Sequence, residues 1–291
     1  MQPKVSILVP VYNVADCLPR CLDSLCKQTL RQIEIICVDD GSTDHSPEIL
    51  AQYAARDERL RFMRQSNQRQ GAARNRAFEV ATGEYVLYID SDDYIDPDYC
   101  ERLYEAAERH RADIACCSFL KHRRQGTRWV ARYDEEHLYE TIEERFRISN
   151  CPPDFYIMNK LFRRSLLAEH EIRFPERVQY EDVEFLMRAL GEMPRLVTVP
   201  SVCYHLVSRA GSTTKSRQTP AQQEQRYRAL KRFVAYADRI GLQIAPKYRT
   251  LTRRYYEWCG ICLLKFKERD GKGHWRLFDL LPLGPKRAIK E

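Results

Sequence analysis

Hydrophobic residues in the first 120 positions alternate between two rhythms. The runs "KVSILVPVY" (4–12), "IEIICVDD" (33–40), "RLRFMRQ" (59–65), "EYVLYID" (84–90) and "DIACCSF" (113–119) are short and apolar, and they predict strands. The segments between them repeat at helical spacing. "ADCLPRCLDSLCKQ" (15–28) carries Leu18, Cys21, Leu22, Leu25 and Cys26 on one face. "STDHSPEILAQYAAR" (42–56) opens on capping residues and groups Ile49, Leu50 and Tyr53. "GAARNRAFEVAT" (71–82) stops at Gly83, and "PDYCERLYEAAERHR" (97–111) starts with Pro, as helices do. Strands alternating with helices predict an α/β fold with a mostly parallel, Rossmann-like sheet covered on both faces. Ligands of such sheets bind at the carboxyl ends of the strands.

Beyond residue 120 the rhythm loosens. "LKHRRQGTRWVARY" (120–133) predicts a basic hairpin or loop. Residues 158–190 predict helix, short strand, then helix, and 195–214 a strand followed by a Gly/Ser/Thr turn. A Thr-Pro signal opens a helix after residue 219, and a second helix is predicted through 247–268. The expected division is a domain over 1–215 and a basic helical C-terminal extension over 216–291.

The chain has 291 residues, which suits one large domain or one domain plus an extension. No run of about 18 apolar residues is present to span a membrane. The first residues enter a strand at once, without the pattern of a signal peptide. The 11 cysteines are odd in number and scattered, unlike a disulfide framework, so a reducing cytoplasm is the expected compartment. Cys259 and Cys262 form C-x-x-C, but no second pair or His stands nearby, which favours packed thiols over zinc or redox chemistry.

Charge is uneven: residues 219–291 hold 17 Lys and Arg against 7 Asp and Glu, whereas the rest is slightly acidic. A basic segment on an acidic body points to an anionic neighbour, lipid or nucleic acid, or to a solvated helical face. No nucleic-acid motif is present, so nucleic acid is not an expected partner. Trp275, Leu277, Phe278, Leu280, Leu281 and Leu283 alternate with cations and suit a membrane interface. That would make the protein peripheral on the inner face of the cytoplasmic membrane. Packing on the body or on a second subunit, in a homo-oligomer, is the alternative reading.

The chemistry gathers at strand ends. "YIDSDDYI" closes a buried run with Asp90, Asp92 and Asp93, and Asp96 follows. Neighbouring carboxylates raise one another's pKa, and a divalent cation would relieve them. Asp39 ends another core strand, where a carboxylate can accept an imide N–H of a base. Arg74, on the first turns of a helix, suits a base edge or phosphate. Three distant polar clusters, "VYN", "DDGSTD" and "DSDD", would thus converge on one rim.

"VSILVPVYN", "IEIICVDDGSTDHS", "GAARNRAFEVATGEYVLYIDSDD" and "YEDVEF" stand in an order and spacing that resembles the family-two inverting glycosyltransferases of bacterial surface-glycan type, over about residues 4–215. The resemblance implies the GT-A fold and transfer of a sugar from a nucleotide diphosphate donor, with UDP favoured, to a glycan or lipid-linked acceptor in surface polysaccharide synthesis, assisted by Mn²⁺ or Mg²⁺. It implies metal binding by Asp92 and Asp90. Pro10, Val11, Tyr12, Asn13, Asp39, Arg74, Ser91 and Arg209 are implied around the nucleotide. Asp182 would be the base, with Glu181 orienting it or the acceptor. His205 is a candidate third metal ligand, with a packed histidine as the equal alternative. Gly71 stands alone where many relatives have a Gly-rich stretch, and Val207 where Arg is common. A catalytically inactive nucleotide-sugar binding protein of the same fold is the runner-up. An Asp-nucleophile phosphotransferase fits poorly, because its D-x-D would follow the first strand.

Overall fold

The computed structural model describes residues 2–208, 219–258, 261–269, 272–277 and 281–283. Its elements follow the predicted alternation: β1 (Val5–Val11), α1 (Leu18–Cys26), β2 (Ile33–Asp39), α2 (Ser46–Ala54), β3 (Leu60–Arg64), α3 (Arg69–Glu79), β4 (Tyr85–Tyr88), β5 (Tyr94–Ile95) and α4 (Tyr99–Arg109). The chain continues through β6 (Ile114–Arg123), β7 (Gly126–Ala131), β8 (His137–Tyr139), α5 (Ile142–Ile148), β9 (Lys160–Arg163), α6 (Arg164–Glu169), α7 (Glu181–Glu192) and β10 (Leu196–Val207). α8 (Pro220–Arg239), α9 (Pro246–Arg249), β11 (Leu251–Trp258), β12 (Ile261–Arg269), β13 (Lys272–Leu277) and β14 (Leu281–Leu283) complete it.

The main sheet runs β3-β2-β1-β4-β9-β6-β10-β5, with β7 on β6 and β8 on β10. β3, β2, β1 and β4 are mutually parallel. β9 is antiparallel to both β4 and β6, which makes β6 parallel to β4, and β10 is parallel to β6. Six strands therefore share one direction. Every residue of β1, β2 and β4 is buried, so both faces are covered, as a parallel sheet requires. The carboxyl ends of β1, β2 and β4 lie side by side.

Three predictions fail, one of them the short strand expected between the two helices of 158–190, where the chain from 170 to 180 is turn and loop. The stretch "NKLFR" is a strand where a helix was expected, because Leu161 and Phe162 fill the slot between β4 and β6. The helix expected through 247–268 is only the short α9, followed by the antiparallel strands β11 to β14. The C-terminal extension is thus helical only in its first part. "KFKE" alternates with period two, and Arg269 pairs with Lys272 across Asp270-Gly271, a dipeptide that favours hairpins.

α8 starts on a capping box, Thr219 with Gln222, and buries Tyr227, Phe233 and Tyr236. Phe233 packs edge-on to Phe155, and Arg232 meets Glu184 of α7 at 2.9 Å. No described helix is long and apolar enough to cross a membrane.

Candidate active site

The end of β1 and the β2–α2 turn make one wall. Asp39 is fully buried; its Oδ1 accepts from the Ser42 amide at 3.0 Å. Its Oδ2 lies 3.1 Å from Arg64 Nε, yet accepts no aligned hydrogen bond. A buried acceptor without a donor costs free energy unless a ligand supplies one. Gly41 adopts φ +80°, which a Cβ would strain, and its backbone packs on Asn67 and Gln65. Asp40 is occupied structurally: its Oδ1 accepts from the Gln68 amide and Gln65 Nε2, both at 2.8 Å. Asn13 Oδ1 accepts from the Thr43 amide at 2.8 Å, and Tyr12 is 48% exposed beside it. Pro10 and Val11 are buried strand residues in register with Val38 and Asp39.

The DSDD turn forms the floor. Ser91 is buried, and the Arg20 guanidinium donates to the Asp92 carbonyl at 2.6 Å. Asp93 points inward and accepts from the Tyr204 hydroxyl at 2.6 Å and the Val207 amide at 2.8 Å, which ties the turn to β10. Burial, then the charges of Asp90 and Asp92, push its carboxyl up to about 8. Burial raises Asp90 as well, against the pull of Arg74. Three carboxyls thus crowd one turn, and burial together with their mutual repulsion raises Asp90 and Asp93.

Arg74 is the junction of the site. It is 3% exposed, donating from Nη2 to Asp90 Oδ1 and from Nη1 to Glu181 Oε1, each at 2.7 Å. Burial opposes its charge, but Asp90 and Glu181 outweigh that and raise its pKa. Gln70 also donates to Glu181 Oε1, at 2.5 Å. Gly71 makes this contact reachable: a Cβ there would stand 2.8 Å from the Pro175 carbonyl and 3.3 Å from Glu181 Cγ. α3 therefore reaches α7, and one guanidinium links DSDD to "YED".

Glu181 is buried within this bridge, whereas Asp182 is partly accessible. Tyr180 precedes them at φ +62°, a left-handed conformation that costs a non-glycine residue about 1–2 kcal/mol and sets the direction of the first turn of α7. Burial, then the charge of Glu181, push the Asp182 carboxyl up to about 7, with Arg74 restraining the rise. A carboxyl that titrates near neutrality can take a proton and still be ionised beforehand.

His205 has a partner at each ring nitrogen. Its Nε2 meets Asp96 Oδ1 at 2.8 Å, its Nδ1 meets His122 Nε2 at 2.9 Å, and its ring stacks on Tyr94 at 4.4 Å. Both ring nitrogens are engaged, which supports the packed reading over the metal-ligand one. Among the described residues no group of three or more His, Cys, Asp or Glu is arranged around a metal position. Arg209 and Cys259 lie outside the described residues, as do the side chains of Cys262, Trp275, Leu277, Leu281 and Leu283 and the whole of Phe278 and Leu280. Sequence reasoning missed Gln70 and Tyr204. Neither sits in a motif, and only their contacts reveal them.

The family described as glycosyl transferase family 2 matches residues 6–170. The chain is 34% identical over 259 residues to the Bacillus subtilis glycosyltransferase EpsJ, covering 85% of this chain and 73% of that protein. It is 30% identical to a poly(ribitol-phosphate) beta-glucosyltransferase of Bacillus spizizenii, over 94% of this chain but only 43% of that protein. Among solved structures, S. aureus TarS 1–349 in complex with UDP-GlcNAc superposes with a TM-score of 0.70 at 26% identity, covering 80% of this chain and 66% of that one.

Proposed function

The chain belongs to glycosyl transferase family 2, and from that premise we propose that it is an inverting glycosyltransferase moving a sugar from a UDP-sugar to a hydroxyl of a glycan or lipid-linked acceptor. The observation that carries this reading is the Asp90–Arg74–Glu181 bridge, which holds a strand-end carboxylate cluster and Asp182, a carboxyl poised near neutrality, in one site.

Asp39 Oδ2 is the acceptor for the uracil imide N–H, with Pro10, Val11, Tyr12 and Asn13 as the opposite wall. Asp90 and Ser91 face the ribose and diphosphate. The carboxylate excess at DSDD fits Mn²⁺ or Mg²⁺, which take oxygen ligands. Asp90 and Asp92 would hold the ion, and donor oxygens and water would complete its shell. When bound, the cation neutralises charge developing on the leaving diphosphate. Asp182 accepts the proton of the acceptor hydroxyl as that oxygen attacks the anomeric carbon from the side opposite the diphosphate. Glu181 and Arg74 tie the first turn of α7, which carries Asp182, to Asp90. Arg209 remains a proposed diphosphate contact, and the basic C-terminal segment a proposed contact with an anionic membrane surface.

Thermal melting against UDP, GDP, CMP and dTDP, each with Mn²⁺ or EDTA, tests this reading. A UDP shift of several degrees that EDTA removes is the expected result, because a ligand bound only by the folded state raises the Tm. No shift with any nucleotide would overturn the donor site.

A further inference from the structure

One surface of the body is not explained by folding. Residues 123–129 of the β6–β7 hairpin are all exposed, so this part of β7 buries neither of its faces. β6 is anchored on β10 as far as His122, but β7 pairs with β6 alone among the described strands, and two of its features are not explained by packing. Lys121 is directly opposite Arg128, a like-charge pair that costs cross-strand energy. Trp129 stands opposite Leu120 with 43% of its surface exposed. Between Lys121 and Tyr133 there are five Lys and Arg and no Asp or Glu. Arg132 is paired with Asp134 at 2.9 Å and lies over the Trp129 ring. Arg123, Arg124 and Arg128 make no ion pair among the described residues.

The hairpin's position gives these charges a direction. β6 runs beside β10 to the pair Val207–His122, and the Val207 amide holds Asp93 of the DSDD turn. On the other side, Phe119 of β6 packs edge-on against Tyr156 at 4.8 Å. Burial, then the charges of Asp154 and Asp182, raise the Tyr156 phenol, while Arg128 works against them. Tyr156 thus packs on the strand that leads into the hairpin.

Resting on the transferase reading above, we propose that the β6–β7 hairpin is the docking surface for the acceptor, and that the acceptor is an anionic glycan chain bearing an ionised oxyacid group on its repeat. Planar guanidinium groups match the paired oxygens of phosphate or carboxylate. An exposed indole offers a flat apolar face to a sugar ring. β7 is 6 residues long, about 20 Å at strand rise, which spans several sugar units. An anionic membrane would also attract such a hairpin, but β6 runs along β10 to the strand end that holds the DSDD turn, which favours a chain that continues into the site.

The test is fluorescence anisotropy of the full chain with labelled poly(glycerol phosphate), labelled polygalacturonate and labelled dextran of matched length, with sedimentation on phosphatidylglycerol/phosphatidylcholine vesicles alongside. The proteins are the wild type, Arg123→Gln/Arg124→Gln/Arg128→Gln, and Trp129→Ala; all four positions are exposed, and Tm reports folding. We expect an anionic chain to bind with dextran at least tenfold weaker, and the difference between the phosphate and carboxylate chains identifies the oxyacid. The triple variant should weaken that binding about tenfold or more, since each charge-assisted contact counts for several-fold, and Trp129→Ala by about threefold. Equal binding of dextran, unchanged binding by the triple variant, or binding to vesicles alone would overturn the proposal. Loss of the UDP shift in the wild type would instead overturn the transferase reading, so the two failures are distinguishable.

Discussion

Arg74→Met removes a charge that serves two carboxylates while keeping most of the side-chain volume. Glu181 is left almost fully buried with Gln70 as its remaining donor, and Asp90 loses its strong partner. Removing one member of a buried pair costs about 3–5 kcal/mol. The Asp90 side chain is 26% exposed, which discounts its share, so most of that figure belongs to Glu181. For a chain of this size about 2 °C accompanies each kcal/mol, giving a Tm lower by about 6–10 °C. A kinetic effect goes with it. Arg74 holds down the Asp182 carboxyl, so its loss moves that group above about 7. A base must be ionised to act, and the acid limb of kcat/KM for UDP-sugar turnover should shift to higher pH. Arg74→Lys should recover part of the stability but not the limb, because an ammonium is a point charge and cannot fork to both carboxylates. A Tm change under about 2 °C together with an unmoved limb in Arg74→Met would refute the bridge as the element that organises the site.

Asp182→Asn should lower transfer by about 10²-fold or more while the UDP-dependent Tm shift persists; near-normal turnover would remove Asp182 from the role of base. In the wild type, kcat/KM should climb as pH rises through about 7 and then level off, and a rate flat from pH 5 to 8 would contradict this. His205→Ala should leave the metal-dependent UDP shift in place, since both ring nitrogens are committed to Asp96 and His122; loss of that shift would restore His205 as a ligand. Glu34 opposes burial with hydrogen bonds from Ser6 and Thr82 and titrates below its ordinary value. Its contribution, about 1.5–3 kcal/mol, is present above the unfolded carboxylate pKa and is lost as pH falls through the depressed folded one. Urea titration should therefore separate Glu34→Gln from wild type at pH 7, and the difference should narrow as pH falls below the unfolded carboxylate pKa.

The alternation of strands and helices, the convergence of "VYN", "DDGSTD" and "DSDD" on one rim, and the basic hairpin were legible in the sequence. Each depends on local periodicity, which records which side of an element meets the core, or on the rule that strand ends in a parallel sheet share an edge. Tertiary structure alone decided the rest. β9 reads as a helix until β4 and β6 supply its hydrogen-bonding partners. His205 reads equally as a ligand or as a packed ring, and only the structure supplies the Asp96 and His122 partners of its nitrogens. Arg74 and Glu181, 107 positions apart, meet because Gly71 lets α3 approach α7. Local pattern fixes which groups face inward; which charge meets which is set by the packing of elements distant in sequence, and no period in the chain encodes it.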